Sequence, residues 1–292
     1  MIQGEGFGKV ILFGEHFVVH GLPAIALGLS NKSIIRIEES KENEIITKFP
    51  VIQTLSISAI QAVEDAVGVK EKFKVYFEGD LPVTGGLGSS AAFCVALAKA
   101  LSKKYSKNFN NEEINKIANE GEKVFHGNPS GIDSAVATYG GAIEYKRNQG
   151  FKQIKIGKPI FLVVGITGKN SPTKIMIEKV QEFKNKNSEE FEKIKNEYQE
   201  IFEEGKNAIE EGKIEIIGEL MNKNQKLLKK VGVSDEINDK LIEKFLQLGA
   251  IGAKLTGGGG GGCCIALAEN EEKAKEILEK IYPFKGFVTK VD

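Results

Sequence analysis

Residues 85–101 read GGLGSSAAFCVALAKAL, a glycine- and serine-rich loop that runs directly into a strong helix-forming segment. Glycines lack a Cβ atom, so their backbone amides can approach an anion closely. A helix N-terminus adds unpaired N–H groups and the positive end of the helix dipole. This stretch therefore predicts a polyphosphate-binding loop at the start of a helix.

The residue order in this loop differs from two common nucleotide-binding motifs. The Gly-x4-Gly-Lys-Ser/Thr order of a P-loop is missing, and the dinucleotide fingerprint fails because Gly88 is followed by Ser89, Ser90 and Ala91. One of the two serines could ligate Mg²⁺, which prefers oxygen ligands. A tight turn with an N-cap serine is the simpler alternative.

A second cluster combines a carboxylate, an imidazole and a constrained turn. Glu122 lies in one predicted helix and His126 just after it, and Pro129 and Gly131 lead into a second helix, which begins near Asp133. A backbone constrained in this way can present Asp133 to accept a hydroxyl proton. Glu122 could reach Mg²⁺, and His126 could face the acceptor or the nucleotide. Taken singly, Asp133 could be a helix N-cap and His126 a packed structural histidine.

Two further elements lie near the ends of the chain. Lys9 precedes an apolar strand, and Glu15 and His16 follow it. Lys9 could stabilise charge on a transferring phosphoryl group, with Glu15 and His16 lining an acceptor pocket, although a surface ion pair is the simpler interpretation of Lys9 alone. The glycine run at residues 257–262 predicts close backbone approach to a ligand, with a flexible linker as the alternative.

The composition argues against highly charged partners. Lys plus Arg and Asp plus Glu are both 40, so we expect no nucleic-acid or membrane partner. No apolar run approaches the roughly 18 residues that a transmembrane helix needs. The N-terminus lacks the pattern of a secretory signal, so we expect a cytoplasmic protein. Cys94, Cys263 and Cys264 are expected to be buried, reduced thiols.

The order of elements predicts an α+β protein with one domain at residues 1–150 and another at residues 151–292. The first domain carries the phosphate loop and Asp133, and the second carries the glycine run. The predicted helices cover residues 54–67, 91–101, 111–124, 175–213, 216–231, 236–248 and 271–282, and the predicted strands cover residues 9–13, 24–29, 33–38, 72–77, 142–146, 161–166, 263–268 and 286–291.

These four elements, in their order along the chain, resemble the superfamily of galactokinase, homoserine kinase, mevalonate kinase and phosphomevalonate kinase, the GHMP kinases. The stretches at residues 8–21 and 122–133 are similar to the branch that phosphorylates mevalonate. The resemblance implies an N-terminal domain like the second domain of ribosomal protein S5 and a ferredoxin-like C-terminal domain. It also implies ATP as co-substrate, Mg²⁺ as cofactor and mevalonate as acceptor.

The resemblance also assigns roles to individual residues. It implies Asp133 as the catalytic base and Lys9 as its electrostatic partner. It implies Glu122 and Ser90, or the neighbouring Ser89, as Mg²⁺ ligands. The residues expected around the triphosphate are Gly85, Gly86, Leu87, Gly88, Ser89 and Ser90, and those expected to line the acceptor site are Glu15, His16, His126, Thr173 and Gly258.

Several alternatives stay open at this point. Phe7 stands where a proline commonly precedes Gly8, and Gly258 stands where alanine is common, which leaves the local loop shapes open. The acceptor could be phosphomevalonate, galactose or another alcohol. A diphosphomevalonate decarboxylase and a metabolite-binding regulator without turnover are further alternatives, and the chain could form a homodimer.

Overall fold

The computed structural model describes residues 2–169 and 171–292. Its internal contacts divide the chain into one compact unit of Met1–Lys9 and Gly28–Gly140 and a second of Val10–Leu27 and Gly141–Asp292. These units are not consecutive segments, whereas the sequence was divided at residue 150. The order of elements in the sequence could not predict that residues 10–27 belong to the second unit. The domain boundary at residue 150 stays a prediction.

The first unit combines helices with a mixed β-sheet. Its elements are β1 (Ile2–Phe13), β2 (Ala24–Ser40), β3 (Glu44–Ile46), α1 (Gln53–Val67), β4 (Lys72–Gly79), α2 (Ser89–Lys104), α3 (Asn111–His126) and α4 (Ile132–Tyr139), with β1 and β2 also contributing residues to the second unit. Strand β4 pairs antiparallel with β2 and parallel with β3, and β1 pairs with β2.

Small side chains allow α2 to lie at the centre of this unit. The helix contacts α1, α3 and α4, and its residues 91–98 are all buried. Strand β1 approaches it so closely that a Cβ atom at Gly4 would lie 2.0 Å from the Ala96 carbonyl oxygen, and one at Gly6 would lie 2.2 Å from that of Ala92. This packing fixes the helix that follows the glycine loop.

The second unit contains a ferredoxin-like β-α-β-β-α-β arrangement. Its further elements are β5 (Ala142–Lys146), β6 (Gly150–Ile154), β7 (Ile160–Ile166), α5 (Thr173–Lys186), α6 (Ser188–Glu211), α7 (Ile214–Lys230), α8 (Glu236–Gln247), β8 (Gly252–Thr256), β9 (Cys263–Ala268), α9 (Glu271–Lys280) and β10 (Lys285–Val291). The antiparallel sheet has the order β10-β7-β9-β8, and β5 pairs with β2 and β6. The α+β class and the ferredoxin-like C-terminal part are confirmed.

Most predicted elements are present, although strands β3, β6 and β8 were not predicted and several predicted elements differ in extent. Strand β2 runs without interruption from Ala24 to Ser40, whereas the sequence predicted separate strands at residues 24–29 and 33–38. The predicted helix at residues 175–213 is two helices, since the backbone leaves the helical region at Asn187, whose side chain donates to Phe183 O at 3.2 Å. Helix α9 ends at Lys280, earlier than predicted.

The burial of the cysteines agrees with the sequence interpretation. Cys94, Cys263 and Cys264 are all free and buried, and burial raises the pKa of each thiol above its ordinary value. Among residues 2–169 and 171–292, no helix is long and apolar enough to span a membrane.

Candidate active site

The glycine loop forms a turn that ends where α2 begins. Gly88 is the N-cap residue with φ 64°, a left-handed conformation that favours glycine, so the N-cap serine alternative is wrong. The loop lies against Lys9: the Lys9 amide donates to Leu87 O at 2.9 Å, and a Cβ atom on Gly88 would lie 3.2 Å from the Lys9 Cβ atom. The first N–H groups of α2 have no intrahelical acceptors, so this turn can receive phosphate oxygens.

Lys9 and Asp133 form an ion pair in the first unit. The Lys9 Nζ atom lies 2.9 Å from Asp133 Oδ1, and the side chains are 6% and 32% exposed. Gly131 is the N-cap of α4 and Asp133 lies in its first turn, so the N-cap alternative for Asp133 is wrong, as is the surface alternative for Lys9. A part-exposed carboxylate fixed by a buried ammonium can accept a proton from a ligand while its position is held.

Glu122 is a buried carboxylate near the start of α2. Its side chain is 2% exposed, and burial raises the pKa of its carboxyl to about 7. The Asp133 charge adds to this rise, and the Ser90 side chain and the Lys9 charge oppose it. Within the described part of the chain, Glu122 Oε1 has no hydrogen-bond partner. A buried carboxylate with one oxygen atom left without a partner is costly, so this position suits a cation.

His126 lies beside Ser90 and Glu122 at the surface. Its Nε2 atom is 3.2 Å from Ser90 Oγ and 3.8 Å from Glu122 Oε2. The ring is 55% exposed, so the packed structural alternative for His126 is wrong. The imidazole therefore lies where it can contact a ligand held at the start of α2.

The oxygen atoms of Ser90 and Glu122 fit Mg²⁺ held together with a nucleotide. Among residues 2–169 and 171–292, no group of three or more His, Cys, Asp or Glu side chains could hold a metal ion. Mg²⁺ bound with phosphates needs only one or two protein ligands, because phosphate and water oxygens complete its coordination. Ser90 and Glu122 are hard oxygen donors of the required type.

Glu15 and His16 belong to a separate cluster in the second unit. Glu15 pairs with Lys254, and both side chains are 0% exposed. His16 Nε2 lies 2.8 Å from Gly258 O. Because a carbonyl oxygen only accepts, Nε2 carries the proton and Nδ1 is an acceptor. Nδ1 is buried without a partner in the described residues, and burial lowers the pKa of His16, which favours the neutral ring.

The glycine run at residues 257–262 is an ordered loop, so the flexible-linker alternative is wrong. Gly259 has φ 75°, and a Cβ atom there would lie 2.2 Å from Val233 O. Asn238 binds both backbone groups of Gly261, donating to its carbonyl oxygen at 2.8 Å and accepting from its amide at 2.9 Å. A Cβ atom on Gly258 would lie 2.9 Å from Thr173 Oγ1, so these two predicted acceptor residues are neighbours.

The structure thus brings the predicted residues together in two clusters. Lys9, Ser90, Glu122, His126 and Asp133 lie together in the first unit, and Glu15, His16, Thr173 and Gly258 lie in the second. The sequence interpretation missed Lys254 and Thr256. Lys254 did leave a signal, since a lysine within a strand of small and apolar residues is unusual unless it is paired.

Two family models match separate parts of the chain. The family model described as GHMP kinases N terminal domain matches residues 54–141, and GHMP kinases C terminal matches residues 206–286. A mevalonate kinase of Methanocaldococcus jannaschii is 37% identical, covering 94% of this chain and 93% of the relative. One of Pyrococcus abyssi is 33% identical, covering 100% and 96%. The crystal structure of L. major mevalonate kinase in complex with R-mevalonate matches with TM-score 0.92 and 33% identity, covering 99% of this chain and 95% of that one.

Proposed function

The chain belongs to the GHMP kinase family, and on that basis we propose that it transfers the terminal phosphoryl group of ATP to the 5-hydroxyl group of (R)-mevalonate. The product, 5-phosphomevalonate, places the enzyme in the mevalonate pathway of isoprenoid biosynthesis. Full-length similarity to mevalonate kinases from two organisms supports the acceptor, and a relative of known structure binds R-mevalonate. The 2.9 Å ion pair of Lys9 and Asp133 beside the glycine loop carries the assignment of the reaction.

The nucleotide is proposed to lie with its triphosphate against residues 85–90. Backbone amides of the turn and of the first turn of α2 bind the phosphate oxygens, which suits a chain that has few arginines. Ser90 and Glu122 would hold Mg²⁺. That ion, when bound, neutralises charge on the phosphates and so assists departure of ADP.

Asp133 is proposed to receive the proton of the acceptor hydroxyl. As the hydroxyl oxygen forms a bond to the γ-phosphorus atom, its proton passes to the Asp133 carboxylate. The bond from that phosphorus to the bridging oxygen breaks, and ADP leaves with the electron pair. Lys9 keeps Asp133 in place and stabilises negative charge on the transferring group. Positioning and charge stabilisation supply most of the catalysis in such transfers.

The acceptor is proposed to be bound by Glu15, His16, His126, Thr173 and Gly258. The buried acceptor nitrogen of His16 supports this role, because it can accept a hydrogen bond from a hydroxyl group. The Glu15 carboxylate is suited to the same task, since Lys254 already balances its charge. A cytoplasmic location and a homodimer complete the proposal, and light scattering tests the dimer.

The decisive experiment measures ADP release with mevalonate, phosphomevalonate, galactose and homoserine as acceptors. We expect mevalonate to give the highest kcat/KM, by roughly a hundredfold or more. The Asp133→Asn variant, purified in the same way, controls for contaminating kinases. A higher kcat/KM with any other acceptor, or no ADP release with mevalonate, would refute the proposed substrate.

A further inference from the structure

Lys254 is a fully buried lysine in strand β8, next to the buried residues Ala253 and Leu255. Its ammonium group donates to Glu15 and, at 2.7 Å, to Leu255 O. Burial lowers the pKa of Lys254, and the charge of Glu15 opposes that effect. Such buried pairs often stabilise a protein no more than apolar residues of similar volume would. Stability alone therefore does not explain why Lys254 and Glu15 are paired in the core.

The contacts that follow Lys254 along the chain reach the same N-terminal segment. Thr256 Oγ1 accepts from the Ile11 amide at 2.9 Å and donates to Ile11 O at 3.0 Å. Gly258 O accepts from His16 Nε2 at 2.8 Å. Residues 254, 256 and 258 thus contact residues 15, 11 and 16, respectively, so strand β8 and the start of the glycine run hold the turn that carries Glu15 and His16.

The Glu15–His16 turn contains a backbone conformation that depends on its surroundings. His16 has φ 59°, a left-handed conformation that is uncommon for residues other than glycine. Such conformations persist when the surrounding contacts determine them. On the following residue, the Phe17 ring stacks on Tyr198 with centroids 4.4 Å apart. At Glu15, the ammonium group of Lys254 contacts the buried carboxylate.

We propose that Lys254 is a positioning residue for acceptor binding, because its ammonium group fixes the Glu15 carboxylate and with it the Glu15–His16 turn. The inference rests on the proposed function, since it assumes that Glu15 and His16 bind the acceptor. The hydrogen bonds of Lys254 go to Glu15 and to Leu255 O. Its removal should therefore act on acceptor binding and leave nucleotide binding intact.

A kinetic double-mutant cycle tests this role with Lys254→Met, Glu15→Gln and the double variant. Lys254→Met should raise the KM for the acceptor roughly tenfold or more and change the KM for ATP less than about twofold. Because Lys254 acts through Glu15, the effect should disappear in the Glu15→Gln background. The proposal would be overturned if the effects of the two single substitutions on the acceptor KM multiplied in the double variant. An unchanged acceptor KM in Lys254→Met would also overturn it.

The control is the ion pair of Lys206 with Glu144, a part-exposed pair that also lies in the second unit, with a 2.8 Å separation. Lys206→Met should leave both KM values within about twofold of wild type. If Lys254→Met fails to fold, the double variant, which buries no unpaired charge, replaces it. An acceptor KM equal to that of Glu15→Gln then supports the proposal, and a higher one overturns it.

A spectroscopic measurement decides the same question without turnover. The chain has 3 histidines, so ¹⁵N-labelled imidazoles give few signals, which His20→Gln and His126→Gln variants assign. Wild-type His16 should be the neutral tautomer protonated at Nε2. Lys254→Met should shift the His16 signals and leave those of His20 and His126 in place, and unchanged His16 signals would overturn the proposal. If the wild type showed no turnover with mevalonate, the proposed function would fail while this result still stood.

Discussion

Replacing Glu122 by glutamine should make the ligand-free protein more stable at neutral pH while weakening its response to Mg²⁺. Burial raises the pKa of Glu122 from 4.5 to about 7. The folded state therefore binds this proton more tightly than the unfolded state does. The free energy of unfolding therefore falls as pH rises from 4.5 to about 7, and the full destabilisation by the Glu122 charge is present above the folded-state pKa.

The size of this effect follows from the shift. At about 1.4 kcal/mol per pKa unit, the difference between 4.5 and about 7 corresponds to about 3 kcal/mol. Glutamine resembles the protonated glutamic acid and does not ionise. Glu122→Gln should therefore match the wild type at about pH 4.5 and exceed it by up to about 3 kcal/mol at about pH 8. This amounts to roughly 6–12 °C in Tm.

Calorimetric Tm values of metal- and nucleotide-free protein, measured across this pH range, provide the assay. The control is Glu120→Gln on the same helix, since Glu120 is 47% exposed and pairs with Lys123. Its Tm should stay close to that of the wild type at each pH, because exposed ion pairs contribute little to stability. A difference for Glu122→Gln that is also constant with pH would refute the reasoning. In the activity assay, Glu122→Gln should need more Mg²⁺ for half-maximal ADP release, and an unchanged titration would remove Glu122 as a ligand.

Three further changes test other parts of the site. Asp133→Asn should lower kcat about a hundredfold with little change in the KM for ATP, and steady-state turnover close to wild type would exclude its role as base. Ser90→Ala should raise the Mg²⁺ concentration for half-maximal activity whereas Ser89→Ala should not, and the reverse order would make Ser89 the ligand. Gly121→Ala should cost about 1–3 kcal/mol of unfolding free energy in urea titration, because the new Cβ would lie 2.6 Å from Cys94 Sγ. Adding Cys94→Ala should recover part of that loss, and no recovery would contradict the steric reason.

Local sequence signals predicted the elements that carry the proposed reacting groups. The glycine–serine order before an alanine-rich segment predicted the turn and helix at residues 85–101, and α2 begins at Ser89. Pro129 and Gly131 predicted a defined turn before Asp133, and α4 begins there. In both places the residue types restrict the backbone directly, so neighbouring residues were enough for the prediction.

Long-range contacts could not be predicted in this way. Lys9 and Asp133 are far apart in sequence, and nothing next to Lys9 distinguishes a buried lysine from a surface one. Burial and ion pairing follow from tertiary packing, which brings β1 beside the first turn of α4. The same reason explains why Lys254 received no role, since its partner Glu15 lies at the other end of the chain.

Glu15 in the second unit and Glu122 in the first are buried carboxylates that differ in how their charge is balanced, and this difference suggests what each can bind. Glu15 is neutralised by Lys254, so a further cation there would be repelled by the ammonium, and a neutral hydroxyl group is the better ligand. Glu122 has no lysine within ion-pair distance among residues 2–169 and 171–292, and burial raises its pKa. A divalent cation would remove that cost by replacing the proton. The protein therefore keeps a destabilising charge at the position where a ligand supplies the opposite one.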